Sequence, residues 1–165
     1  MLSLKTAIAI IVVPGGACVL IPYFILTAAH ISLTPPFGIL QLIAILIAAA
    51  GVYMVLWVST AFVRQGKGTP VPIEPPTRLV ITGLYRYVRN PMYVGAILIV
   101  LGEAGYFSYL WLAIYAAGLW ALLHTSVLIF EEPQLKRRYG ADYEQYLSEV
   151  PRWIPRLRIR RMLRP

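Results

Sequence analysis

Two stretches of the chain, Thr6–Ala29 and Phe37–Val63, contain no Asp, Glu, Lys or Arg, and a third, Met92–Phe130, contains one acid, Glu103. About 20 apolar residues suffice for a helix to cross roughly 30 Å of hydrocarbon. No soluble fold of 165 residues has a core large enough to hide three such runs. The composition agrees: 59% of residues are hydrophobic and 13% charged, against about 25% charged in soluble domains. Disorder, coiled coil and collagen are excluded by the same numbers. The single cysteine, Cys18, rules out a disulfide framework and a thiolate cluster, and two separated histidines cannot make a typical metal site.

Met92–Phe130 is too long for one span and suits two joined by a tight turn, with Gly102, Gly105 and Ser108 supplying the turn chemistry. The expectation is an all-α integral membrane protein, one domain over residues 1–165. Its four spans fall at about 6–29, 37–63, 91–104 and 109–130, the hairpin being Pro91–Ala104 and Tyr109–Phe130. The first span is too long for the apolar core of a cleaved signal peptide and reads as a signal anchor, kinked by Pro14, Gly15, Gly16 and Pro22. Charge then orients the spans. Lys5 precedes span one. Arg64, Lys67, Arg78, Arg86 and Arg89 lie between spans two and three, and nine basic residues from Lys136 to Arg164 follow span four. The loops His30–Pro36 and Gly105–Ser108 hold no Lys or Arg. By the positive-inside rule both termini are cytoplasmic, in a bacterial or archaeal inner membrane or in the endoplasmic reticulum.

Only two segments are long enough to carry a site, the cytoplasmic stretches 64–90 and 131–165. The first contains Gly66–Asn90, which Pro70, Pro72, Pro75 and Pro76 stiffen. In the second, Leu135, Tyr139, Tyr143, Tyr146, Leu147 and Val150 recur at helical spacing and predict an amphipathic helix along the membrane face. Asn90-Pro91 reads as an N-cap with proline at the first helical position, so span three presents free N–H groups beside Arg89. Span four would end on the same face with Glu131 and Glu132, two acids that oppose the helix macrodipole. The two helix ends form an anion site and a cation site suited to a zwitterion with a further cationic centre. The plain alternative is that Arg86 or Arg89 pairs with Glu131 or Glu132 as a structural bridge. His124, seven residues before Glu131, either packs or lines a ligand pocket. Cys18 reads as a small core residue and Glu103 as an acid near the far interface. Arg156–Arg164 reads as an anchor to anionic lipid; nucleic acid is not expected, because these charges abut the membrane.

The segment Thr82–Gly95, TGLYRYVRNPMYVG, resembles the signature of the isoprenylcysteine carboxyl methyltransferase and phospholipid methyltransferase superfamily. Glu131–Arg156, EEPQLKRRYGADYEQYLSEVPRWIPR, resembles its second block. The resemblance implies an integral-membrane enzyme using S-adenosyl-L-methionine, with a cytoplasmic cofactor pocket and a lipophilic acceptor entering from the bilayer. Position by position, Arg89, Asn90, Pro91, Tyr93 and Gly95 match the first motif, Glu131 and Glu132 the acidic pair, and Tyr143, Tyr146 and Arg152 the closing block. Asn90 stands where eukaryotic carboxyl methyltransferases commonly have His, and the Gly-x-Gly of phosphatidylethanolamine methyltransferases is matched only loosely by Gly102-Glu103-Ala104-Gly105.

On this reading Arg89, Asn90, Pro91 and Gly95 bind the cofactor, with Arg89 and the start of span three taking its carboxylate. Glu131 and Glu132 take ribose hydroxyls or the ammonium, and Tyr93 packs on the cofactor. The expected catalytic residues are Arg152 and His124, with His124 also counted among the cofactor contacts. An isoprenylcysteine-type carboxylate is the favoured acceptor and needs only orienting cations, Arg152 and Arg89. A phospholipid amine or a thiol must lose a proton, which would make His124 the base. Membrane lipids and the acceptor are the expected partners, with no obligate protein partner. The competing readings are a sterol-reductase-like enzyme using NADPH, against which the small number of spans counts, and a non-enzymatic multispan transporter or assembly protein.

Overall fold

The computed structural model describes residues 15–65, 79 and 81–156. Lys5, the start of the first span, the prolines of the 66–78 connection and the basic run after Arg156 lie outside the described residues. Five helices order the rest: α1 (Gly16–Ala28), α2 (Ile39–Gln65), α3 (Pro91–Tyr106), α4 (Leu110–Tyr139) and α5 (Ala141–Glu149), with a short 3-10 turn at Gly83–Arg86 before α3. No strand occurs among the described residues. Two segments, Ile39–Ala61 in α2 and the whole of α4, are long and apolar enough to cross a membrane. Both leave most of that apolar surface uncovered, with Leu46 62% and Leu122 67% exposed, as a lipid-facing helix does. α1 and α3 are shorter apolar helices.

α2 and α3 pack along a seam of small residues. A Cβ placed on Gly102 would stand 2.7 Å from Ala48 Cβ and 2.8 Å from the Ala44 carbonyl oxygen. One on Gly95 would stand 2.8 Å from the Gly51 carbonyl oxygen, and one on Gly51 2.5 Å from that of Gly95. Close backbone approach and van der Waals contact hold the pair together. This corrects the assignment of Gly102 and Gly105 to the hairpin turn. Both lie inside α3 against α2. The turn is Phe107–Tyr109, where Phe107 N–H donates to Glu103 O (2.9 Å), Tyr109 N–H to Ala104 O (3.0 Å), and Ser108 adopts φ +51°.

Two helices each contain a proline just after a π turn. Pro22 has no N–H to donate to Cys18 O, and α1 widens over Gly16–Leu20 immediately before it. Tyr115 of α4 donates its hydroxyl to Ala17 O in that turn at 2.8 Å. Cys18 is 2% exposed and packs with Ala96, Val100 and Ala116, the core role expected of it. Pro133 likewise follows a π turn over Val127–Glu131. The wider turn absorbs the missing N–H, and α4 runs on to Tyr139. Glu131 and Glu132 therefore sit inside a helix and not at its end, so they do not oppose the macrodipole. The last turn holds Lys136, Arg137 and Arg138, which complement it.

The amphipathic stripe after Glu131 is also arranged differently from expectation. Gly140, at φ +53°, divides it into the end of α4 and α5. Tyr143, Tyr146 and Val150 are buried under Leu79, Ile81, Leu135, Tyr139 and Leu147. The stripe thus builds a small second core with the segment preceding α3.

Candidate functional site

The 81–90 loop is shaped by two contacts. Gly83 has φ +55°, and any side chain there would collide with the Trp57 ring of α2. From the other side, the buried Tyr146 donates its hydroxyl to Tyr85 O at 2.8 Å. The loop so held presents Arg89 and Asn90 at the start of α3. Over them lies the segment Val150–Arg156, a strap tied at both ends: Arg89 N–H donates to Pro151 O (2.9 Å) and Arg156 N–H to Tyr87 O (3.1 Å). Asn90 makes no side-chain cap on α3. Its amide Nδ2 donates to Arg152 O at 3.4 Å, which ties it to the strap.

Glu132 is the hub of this assembly and is 9% exposed. Its Oε1 accepts from Arg89 Nη1 (2.9 Å) and Arg152 Nε (2.8 Å), and its Oε2 from Arg152 Nη2 (3.0 Å). The Arg152 contact is a bidentate fork, the strongest geometry for a guanidinium and a carboxylate. One carboxylate between two guanidiniums leaves a local excess of positive charge. Arg89 Nε is buried and finds no acceptor among the described residues. Tyr143 lies against this cluster, and burial, with Glu132 adding to it, pushes its hydroxyl up to about 12. Burial raises Tyr85 and Tyr146 as well, with Glu131 adding to the effect at Tyr85. Glu131 points elsewhere: its Oε1 accepts the Tyr93 hydroxyl from α3.

Further along α4, the His124 ring stacks on Trp120 with centroids 5.2 Å apart and an interplanar angle of 14°. Trp153 of the strap donates its indole Nε1–H to His124 Nδ1 at 3.0 Å.

The structure thus brings Arg89, Glu132 and Arg152 into one ion cluster, ties Asn90 to it through the Arg152 carbonyl, and pairs Tyr93 with Glu131. Pro91 is buried at the first position of α3, and Tyr143 and Tyr146 form the floor. His124 joins through Trp153. Gly95 lies on the other side of α3, against Gly51, Met54 and Val55 of α2, so its small size serves helix packing. Arg86 is exposed and takes no part in the cluster, while Arg89 makes the bridge to Glu132. Cys18 and Glu103 lie outside it. Sequence reasoning passed over Trp153 and Tyr85. The signal for Trp153 was its place directly after Arg152, since a partly buried indole N–H requires an acceptor.

Residues 39–142, well over half of the chain, match the phospholipid methyltransferase family, and the chain belongs to that family. Among individual proteins, it is similar to a protein-S-isoprenylcysteine O-methyltransferase of Schizosaccharomyces pombe, with 35% identity over 78 residues. That stretch is 47% of this chain and 33% of the yeast protein, so the likeness spans about a third of the relative's length.

Proposed function

We propose that the chain is a four-span membrane methyltransferase, both termini cytoplasmic, that moves a methyl group from S-adenosylmethionine to the carboxylate of a lipophilic acceptor of the isoprenylcysteine type. The observation that carries this reading is the buried Glu132, which draws one arginine from each sequence block into a single cluster with a donor to spare. The sorting of all fifteen basic residues to one side supports the topology, and the named relative supports the carboxylate acceptor.

The residues present fit the cofactor. The unpartnered Arg89 Nε–H and the positive excess around it suit a carboxylate, as do the N–H groups that open α3. Glu131, engaged through one oxygen, has the other for an ammonium or for ribose hydroxyls. S-adenosylmethionine, when bound, supplies an electrophilic methyl on a sulfonium centre. The protein's part is to align the partners and keep water out. Arg152, anchored by its fork to Glu132, would orient an acceptor carboxylate, and the strap over Arg89 and Asn90 shields the site from the cytoplasm. No base is needed for a carboxylate nucleophile.

The test is calorimetric binding of S-adenosylhomocysteine to the full chain in nanodiscs, followed by transfer of labelled methyl to S-farnesylcysteine or to phosphatidylethanolamine. Binding, loss of binding in Glu131→Gln, and transfer to the farnesylated carboxylate are the expected results. A folded protein that binds no S-adenosylhomocysteine overturns the reading.

A further inference from the structure

An indole N–H can only donate, and it does so here to His124 Nδ1 at 3.0 Å. A proton on Nδ1 would face that donor head-on. The ring proton therefore belongs on Nε2, and the Nδ1 lone pair is already engaged. In this state His124 has no free lone pair with which to accept a proton. It has one group to offer, the Nε2–H.

The surroundings say what that donor can meet. Trp120, stacked under the imidazole, is 41% exposed, and Leu128, one turn on from His124, is 42% exposed, on the apolar surface of α4. Trp153, at the Nδ1 edge of the ring, is the neighbour in sequence of Arg152, whose guanidinium grips Glu132. His124 thus lies between the exposed apolar surface of α4 and the strap that carries Arg152, in one cluster with two indoles whose centroids are 6.0 Å apart. An amphiphile arriving along α4 would bring its apolar part past Trp120 and its polar head toward Arg152.

We propose that Trp153 is a positioning residue that fixes His124 as a hydrogen-bond donor, through Nε2–H, to an oxygen of the acceptor's carboxylate head, and so removes His124 from the role of general base. This inference rests on the methyltransferase reading for the identity of the acceptor, but the tautomer itself does not. It also separates the acceptor classes. A carboxylate arrives ionised and gains from a donor, whereas an amine or thiol would need a base that this histidine cannot supply while it holds the Trp153 bond.

The experiment uses the full chain in nanodiscs, carrying a tag without histidine and labelled with ¹⁵N-histidine. His30 and His124 are the only histidines, and His124→Gln assigns the two signals. The expected spectrum shows His124 in the Nε2–H tautomer, reverting to a mixture of tautomers in Trp153→Phe. Adding S-farnesylcysteine should shift the His124 Nε2 resonance. Turnover supplies a second arm. A donor to a charged oxygen contributes on the order of 10- to 100-fold, so His124→Phe should lose about that much in kcat/KM. His124→Gln, which places an amide N–H near the position of Nε2, should stay within roughly 5-fold. Trp153→Phe should raise KM for the acceptor by a larger factor than it weakens S-adenosylhomocysteine binding. An Nδ1–H tautomer in the parent protein, a His124 resonance indifferent to the carboxylate probe, or His124→Gln as inactive as His124→Phe would each overturn the proposal. The cofactor reading would stand on its own calorimetry in all three cases.

Discussion

Replacing Glu132 by glutamine keeps the shape of the side chain and removes its charge, and the structure says where the damage should appear. Glu132 accepts three hydrogen bonds from two guanidiniums, with side chains 12% (Arg89) and 24% (Arg152) exposed. Breaking a buried ion pair by removing one partner costs about 3–5 kcal/mol. The partial exposure of Arg152 and the one carbonyl oxygen that glutamine retains reduce this to roughly 2–4 kcal/mol. The loss should be local. Arg152 sits on the strap, whose remaining ties are the Arg89–Pro151, Arg156–Tyr87, Asn90–Arg152 and Trp153–His124 hydrogen bonds. These ties, about 0.5–1.5 kcal/mol each, are present in parent and variant alike, so they do not offset the loss. Opening of the strap should become about 30- to 700-fold more frequent, while α2 and α3, held by their glycine seam, are unaffected. Hydrogen exchange by mass spectrometry in nanodiscs reads this directly, as faster exchange in 150–156 with no change in 39–61. Strap exchange within 3-fold of the parent would refute the reasoning, as would acceleration spread evenly over the helices.

Gly102→Leu should separate α2 from α3, because its Cβ alone would meet Ala48 Cβ at 2.7 Å and the Ala44 carbonyl oxygen at 2.8 Å. Overpacking of this kind costs about 1–3 kcal/mol or more, and a thermal melt in detergent should fall accordingly, while the same change at Gly118, where a Cβ meets nothing within 4 Å, should not lower it. Alkali should loosen the small core built by α5 and the segment before α3. Tyr143 is held near 12 and Tyr85 and Tyr146 are also raised, whereas an unfolded tyrosine ionises near 10. Folding keeps these protons on, so their contribution is complete below about pH 10 and declines as pH climbs toward about 12 and beyond. Tyrosinate absorbance followed together with exchange of 141–150 should show a shared transition in that window. Tyr93→Phe leaves the Glu131 carboxylate without its hydroxyl donor. It should weaken S-adenosylhomocysteine binding by about 5- to 15-fold, measured by calorimetry.

Part of this fold is legible because long apolar runs admit few alternatives: uncharged stretches mark α2 and α4, the two helices long enough to cross a membrane, and the two motif blocks supply the residues that meet at Glu132. The misreadings come from residues that serve two physical purposes. Glycine permits a turn and equally permits two backbones to touch, so Gly102 and Gly105 cannot be assigned without knowing that Ala44 and Ala48 lie opposite. Proline stops a helix unless the turn before it widens, which is what carries α4 through Pro133. Asparagine before proline marks a helix start, but its side chain need not cap it. The Asn90 amide donates instead to the Arg152 carbonyl, 62 residues away. The Arg89–Glu132 bridge was among the sequence readings because the charges could be counted, but the bidentate claim of Arg152 on the same carboxylate depends on the strap's path.

That path links two parts of the site that the sequence keeps apart. Consecutive strap residues reach opposite ways along α4, Arg152 to Glu132 and Trp153 to His124. The two targets are eight residues apart, about 12 Å along the helix. A strap anchored at both places cannot release the ion cluster without disturbing the imidazole, nor tilt Trp153 without pulling on the fork at Glu132. Glu132→Gln should therefore reach His124 as well. In that variant the ¹⁵N spectrum should show the Nε2–H preference of His124 weakened, although no atom near the ring has been changed. A tautomer unaffected by Glu132→Gln would mean that the Trp153 bond is held by local packing against Trp120 alone, and that the strap acts as two independent contacts.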